Sequence, residues 1–113
     1  MKPIIIQNSK IPVYLSIFIN IYAITLFPFI ISRDEMSDVT INHEKIHIEQ
    51  QRELLVVFFY ILYIWYWLIG KVKGMTNDDA YMNIPFEQEA YEKMYDENYL
   101  IERERHAWRQ YIN

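Results

Sequence analysis

No cysteine occurs among the 113 residues. That absence excludes a disulfide framework and any thiolate-held zinc, iron–sulfur or redox centre. Glycine appears twice and proline four times, which leaves few turn residues for a many-stranded β-sandwich. Basic side chains are outnumbered 11 to 15, for a net charge of −4. No basic stripe interrupts that balance, which argues against a nucleic-acid partner. Internal repeats and low-complexity tracts are also missing. What is present is apolar: 52% of the chain is hydrophobic and 17% aromatic, far from the composition of a disordered tail. The length suits one domain over 1–113.

The apolar residues fall in two blocks. Positions 11–31 carry no charge over 21 residues, long enough to cross a bilayer. Ser16, Asn20 and Thr25 interrupt that block, and Pro12 and Pro28 bracket it. It reads better as a short helix near 12–20 followed by a buried or edge strand over Tyr22–Ser32. A cleavable signal peptide is a poor match, because no small-residue cleavage site follows. After a polar turn at 33–38, Thr40 or Asn42 is expected to cap a helix that meets no breaker before Gly70. Its second part, Leu54–Ile69, is 16 uncharged residues ending in Trp65, Tyr66 and Trp67, with Lys71 and Lys73 beyond. Such a helix is about 24 Å long, short of the roughly 30 Å hydrocarbon core. Two placements follow. One is association with a membrane, on its cytoplasmic side. The other is a soluble cytoplasmic protein that buries the segment in its core or against a second copy in a homo-oligomer. Pro85 then opens a charged helix expected to run from Phe86 to Tyr111.

The chemistry-bearing signal is His43-Glu44-Lys45-Ile46-His47, an H-E-x-x-H. On a helix, residues four apart share a face, so both imidazoles reach one ion. Glu44 lies beside them, placed to hold and deprotonate a metal-bound water. Zn2+ fits a site of two histidines and one carboxylate with a fourth position open. Shuffling this composition produces roughly 0.007 chance matches to the pattern. The bland alternative is a polar helix turn with two solvated histidines.

A third ligand has to come from elsewhere. Glu87 and Glu89 are the candidates. Glu87 shares a helix face with Ala90, Tyr91 and Met94, whereas Glu89 lines up with Glu92, Lys93 and Asp96 on a face that reads as solvated. A carboxylate on an inward face needs a partner, so Glu87 is the expected ligand and Glu89 the reserve. One ion can join His43, His47 and Glu87 only if Leu54–Ile69 does not cross a membrane completely, or if the chain returns. A re-entrant or surface-lying segment is expected, with a break near Phe58–Leu62 easing the return.

H-E-x-x-H followed some 40 residues later by E-x-x-A on a second helix resembles the gluzincin metallopeptidases, particularly the HtpX-like and CAAX prenyl endopeptidase group. The resemblance covers roughly residues 23–94. It implies His43, His47 and Glu87 as zinc ligands and Glu44 as general base, and Ala90 matches the family's alanine. Tyr91 stands where the family has an Asp that orients a zinc-bound histidine; loss of such a partner typically weakens affinity or activity 10–100-fold. Asp34, Asp38 or Tyr91 itself are the candidates to take over that role. The chain is also similar to small bacterial H-E-x-x-H proteins that bring no substrate with them. In gluzincins a strand before the active helix pairs with an extended peptide, a role open to Tyr22–Ser32.

Other polar residues have plainer readings. His106 sits among Glu102, Glu104, Arg105 and Arg109, as on a solvated helix face. Tyr81, Tyr91, Tyr95 and Tyr99 offer phenols, but the four-residue spacing of the last three fits core packing. Gln50 and Gln51 lie near the site or on the helix surface. Glu49, Arg52 and Glu53 read as surface pairs. The expected fold is thus a minimal, mostly helical zincin-like α+β domain. A short strand or hairpin precedes the H-E-x-x-H helix, and a Glu-bearing helix follows. The expected function is a zinc-dependent hydrolase acting on a peptide or protein. The alternative is an inactive zinc-binding or membrane-associated interaction protein.

Overall fold

The computed structural model describes residues 3–10, 12, 23–32 and 34–112. Within them the chain is mixed α+β. Three strands come first: β1 (Ile4–Ile6), β2 (Ala23–Leu26) and β3 (Phe29–Ser32). Five helices follow: α1 (Asp38–Glu53), α2 (Val57–Val72), α3 (Asn77–Met82), α4 (Pro85–Lys93) and α5 (Tyr99–Glu102). A 3₁₀ turn at Ala107–Tyr111 ends the described chain. The expected helix near 12–20 lies almost wholly outside the described residues.

Of the two forms expected before the H-E-x-x-H helix, a short strand or a hairpin, the described residues 23–32 form the hairpin. β2 and β3 pair antiparallel around Phe27-Pro28, with Leu26 opposite Phe29, and β1 joins β3 in parallel. The sheet order is therefore β1-β3-β2. Ile30, Met36 and Ile48 form a small core that seats α1 on this sheet.

α1 starts earlier than its capping pattern suggests. Ser37, not Thr40 or Asn42, is the N-cap, and its hydroxyl accepts the Thr40 amide at 3.2 Å. Its buried residues are His43, Glu44, Ile46, His47, Ile48, Gln50 and Gln51. Five of those seven are polar, so the face needs polar partners rather than grease.

The expected continuous helix from 42 to 70 is broken. α1 and α2 meet at a bend of 112°, located at Leu54–Val56 rather than Phe58–Leu62. Leu55 and Val56 both have positive φ, 55° and 62°. The Val57 amide bonds the Leu55 carbonyl at 2.6 Å across Val56, a strained γ-turn that costs a β-branched residue about 1–3 kcal/mol. No glycine or proline announces this turn. It is held by what lies beyond it: Phe59 on the inner face of α2 packs with Ile84, Phe86 and Trp108 in the larger core. Gly70, read as the end of the helix, lies inside α2. A Cβ there would sit 2.9 Å from the Ala80 Cβ, so its bareness lets α3 approach.

The opposite face of α2 is uncovered. Phe58, Ile61, Ile64, Trp65 and Leu68 are all exposed. Among the described residues, no single helix is long and apolar enough to cross a membrane.

Pro85 occupies the first turn of α4, as expected. The expected helix to Tyr111 stops at Lys93, however. The chain then turns through α5 and doubles back, so Arg103 packs against both α1 and α4. His106 is not on a helix face. It is a left-handed residue before the 3₁₀ turn, and its backbone amide bonds the Glu53 carboxylate.

Candidate metal centre

His43 and His47 project from α1 one turn apart and meet Glu87, in the first turn of α4. Glu87 Oε1 lies 3.2 Å from His43 Nε2 and 2.9 Å from His47 Nε2, and the two Nε2 atoms are 3.2 Å apart. All three residues are buried. A tetrahedral zinc with bonds of about 2.0–2.1 Å holds its ligand atoms about 3.3 Å from one another. The observed triangle is close to that size. Two imidazole nitrogens and one carboxylate oxygen are moreover a donor set that suits a divalent ion. The group can therefore bind a metal ion.

The electrostatics reflect one tight contact. Burial works against a charge on His47, but the Glu87 carboxylate outweighs it and raises the imidazole to about 9. Burial likewise opposes ionisation of Glu87, but the two imidazoles hold its carboxyl well below the usual range.

Around the triangle each ligand is oriented. The second oxygen of Glu87 accepts a hydrogen bond from Tyr63 on α2 at 2.7 Å. Burial and the neighbouring Glu87 carboxylate push the Tyr63 phenol well above its ordinary value, so it stays a donor. His47 Nδ1 contacts Gln50 Oε1 at 2.7 Å. Tyr91 presents its ring to His43 edge-on, with centroids 4.4 Å apart. Its hydroxyl pairs with Tyr81 at 3.0 Å. Asp34 and Asp38 are exposed, and the polar contacts of the two imidazoles are with Glu87, Gln50 and each other.

Glu44 is also buried. The Thr25 hydroxyl on β2 donates to its Oε2 at 2.5 Å, tying this carboxylate to the hairpin. Two backbone groups of the hairpin are occupied too. The Thr25 carbonyl accepts from the Gln51 amide at 2.7 Å and from the Tyr60 hydroxyl, and the Phe27 amide donates to Gln51 at 2.7 Å. Gln51 thus sits along β2 as a peptide group would.

Glu89, the reserve ligand, does not join the histidines, and its face is not solvated. It is fully buried, with Tyr99 at 2.6 Å and Arg103 at 2.5 Å on one oxygen. Arg103 also forks onto Glu53 at 2.9 and 3.1 Å, so Glu53 is no surface residue. Only Glu49 and Arg52 form the expected surface pair, at 3.1 Å.

Sequence reasoning singled out neither Tyr63 nor Arg103. Tyr63 is lost in an apolar run and Arg103 in a charged one, and only the bends at 54–56 and 94–98 bring them in. A phenol inside an apolar stretch does need a polar partner, which is the one hint available for Tyr63. Compared with known proteins, the chain matches no family model, no curated protein and no solved structure.

Proposed function

We propose that the chain is a zinc-dependent hydrolase of the gluzincin type, acting on peptide bonds. The observation that supports it is the convergence of His43 Nε2, His47 Nε2 and Glu87 Oε1 within 3.2 Å of one another, with Glu44 next in the chain to the first histidine. A zinc ion bound there supplies Lewis acidity and brings the pKa of a coordinated water to about 7. The chain's own part is to hold and to move a proton. Tyr63 fixes the Glu87 carboxylate, and Thr25 anchors Glu44 through one oxygen, leaving the other to accept a proton from water and return it to the leaving amine. Glu44→Gln keeps the shape and removes the base. It is expected to lower kcat on a quenched peptide library by at least about 100-fold while zinc content is unchanged.

A second reading is zinc binding without turnover. It is favoured by the Gln51 amide on Thr25 and Phe27, which takes hydrogen bonds that an extended peptide would use. Equal zinc and no turnover in both the wild type and Glu44→Gln would support it.

The uncovered face of α2 is proposed to rest on an anionic bilayer surface. Phe58, Ile61, Ile64, Trp65 and Leu68 supply the apolar contact. No acidic residue occurs from 54 to 76, whereas Lys71 and Lys73 do. The stripe from Phe58 to Leu68 is about 15 Å by 10 Å, well below the roughly 800 Å² per partner of a stable dimer. Sedimentation with phosphatidylcholine vesicles is expected only when they include phosphatidylglycerol, and Trp65→Asp should abolish it. No binding to either vesicle, together with a dimer by analytical ultracentrifugation, would assign the face to a second copy instead.

A further inference from the structure

Gln50 is fully buried on α1, one turn beyond His47. Its neighbours fix which way its amide points. The Nε2 group lies 3.0 Å from the Phe86 carbonyl oxygen and 3.0 Å from Glu89 Oε1. A carbonyl and an ionised carboxylate only accept hydrogen bonds, so the NH2 has to be on that side. The amide oxygen is therefore turned toward His47 Nδ1, 2.7 Å away. That oxygen also only accepts, so Nδ1 carries the hydrogen. Nε2 is then the nitrogen left to face Glu87 and His43.

Glu89 is not free to rearrange. Tyr99 and Arg103 donate to its Oε2, and Arg103 donates to its Oε1 at 3.1 Å as well. A single orientation thus passes from Arg103 to Glu89, from Glu89 to Gln50, and from Gln50 to His47. We propose that Gln50 is a positioning residue of the metal centre. Its amide oxygen, aimed by Phe86 and the Glu89–Arg103 pair, holds His47 with Nδ1 protonated and Nε2 presented to the ion. This role rests on the metal-binding reading and adds to it the residue that sets the ligand atom.

Two substitutions separate this role from simple packing. Gln50→Leu and Gln50→Glu both remove the NH2, so both lose the bonds to Phe86 and Glu89 and lower the melting temperature of the metal-free protein. Only Gln50→Leu also loses the acceptor for His47. Chelator competition should show zinc affinity weakened 10–100-fold in Gln50→Leu but within about threefold of wild type in Gln50→Glu, as expected for a partner that acts on the ligand. Equal losses in the two variants, or none in Gln50→Leu, overturn the proposal while leaving the metal site standing. Long-range 1H–15N spectra of the zinc-loaded wild type test the same point without any substitution. They should show a His47 Nδ1–H and a metal-bound Nε2, and ligation through Nδ1 would refute it. A wild type that takes up no zinc removes both the proposal and the reading beneath it.

Discussion

Replacing Glu87 with alanine is expected to abolish stoichiometric zinc. Within the described residues it is the carboxylate grouped with both imidazoles, and the two nearest acids are held elsewhere: Glu89 is committed to Arg103 and Glu44 to Thr25. Losing a hydrogen-bond partner of a ligand already costs 10–100-fold in affinity, so loss of the ligand itself should exceed about 100-fold. Elemental analysis after dialysis should read one equivalent in the wild type and in the control Glu92→Ala, and background in Glu87→Ala. A chelator should lower the unfolding midpoint of the wild type, because an ion at about 1,000 times its Kd contributes about 4 kcal/mol to stability. The same chelator should leave Glu87→Ala unmoved. A full equivalent of zinc in Glu87→Ala would remove the site as described.

Arg103→Leu is expected to be the most damaging single change outside the metal site. It strands two carboxylates, Glu53 and Glu89, whose only guanidinium among the described residues is this one. Both side chains are at most 8% exposed. Removing one partner of a buried ion pair typically costs about 3–5 kcal/mol, because the remaining charge is left without compensation. Arg52→Leu, which breaks only the exposed pair with Glu49, should cost less than about 1 kcal/mol. Urea denaturation of the two variants makes the comparison. The pH dependence has a definite sign. Burial opposes the charge on Glu89, but Arg103 and Tyr99 win and hold its carboxyl below the ordinary glutamate value of 4.5. Its stabilisation is therefore complete above about pH 4.5 and is lost as the pH falls through the lower folded-state value. The wild type should lose stability over that acid range more steeply than Arg103→Leu.

The two carboxylates of α4 show how far a helical pattern reaches. Spacing separates Glu87 from Glu89 and places Glu87 inward, as found. It also places Glu89 outward with Glu92, Lys93 and Asp96, and there the chain does otherwise. The pattern assumed a helix continuing past residue 93. The turn at 94–98 brings Arg103 back over the face that would have met water, and a buried carboxylate becomes affordable once a guanidinium forks onto it. The bend at Leu54–Val56 was hidden for a related reason. Nothing local favours positive φ at a leucine and a valine. The conformation persists because packing of Phe59 against Phe86 and Trp108 offsets the strain.

By itself the sequence determined the spacing of His43, Glu44 and His47 on one helix, the start of the second helix at Pro85, and the mixed α+β class. These follow from local rules, namely the 3.6-residue period, the fixed φ of proline and the short uncharged run of a buried strand. Only the tertiary structure decided that Glu87 reaches the two imidazoles, that Tyr63 and Gln50 hold the ligands in place, and that Glu89 is buried on Arg103. The contacts of Glu87, Tyr63 and Arg103, and the aiming of Gln50 by Phe86 and Glu89, depend on the angle at which the chain turns between helices. That angle is set by which side chains pack best over tens of residues, a sum that no short window of sequence contains.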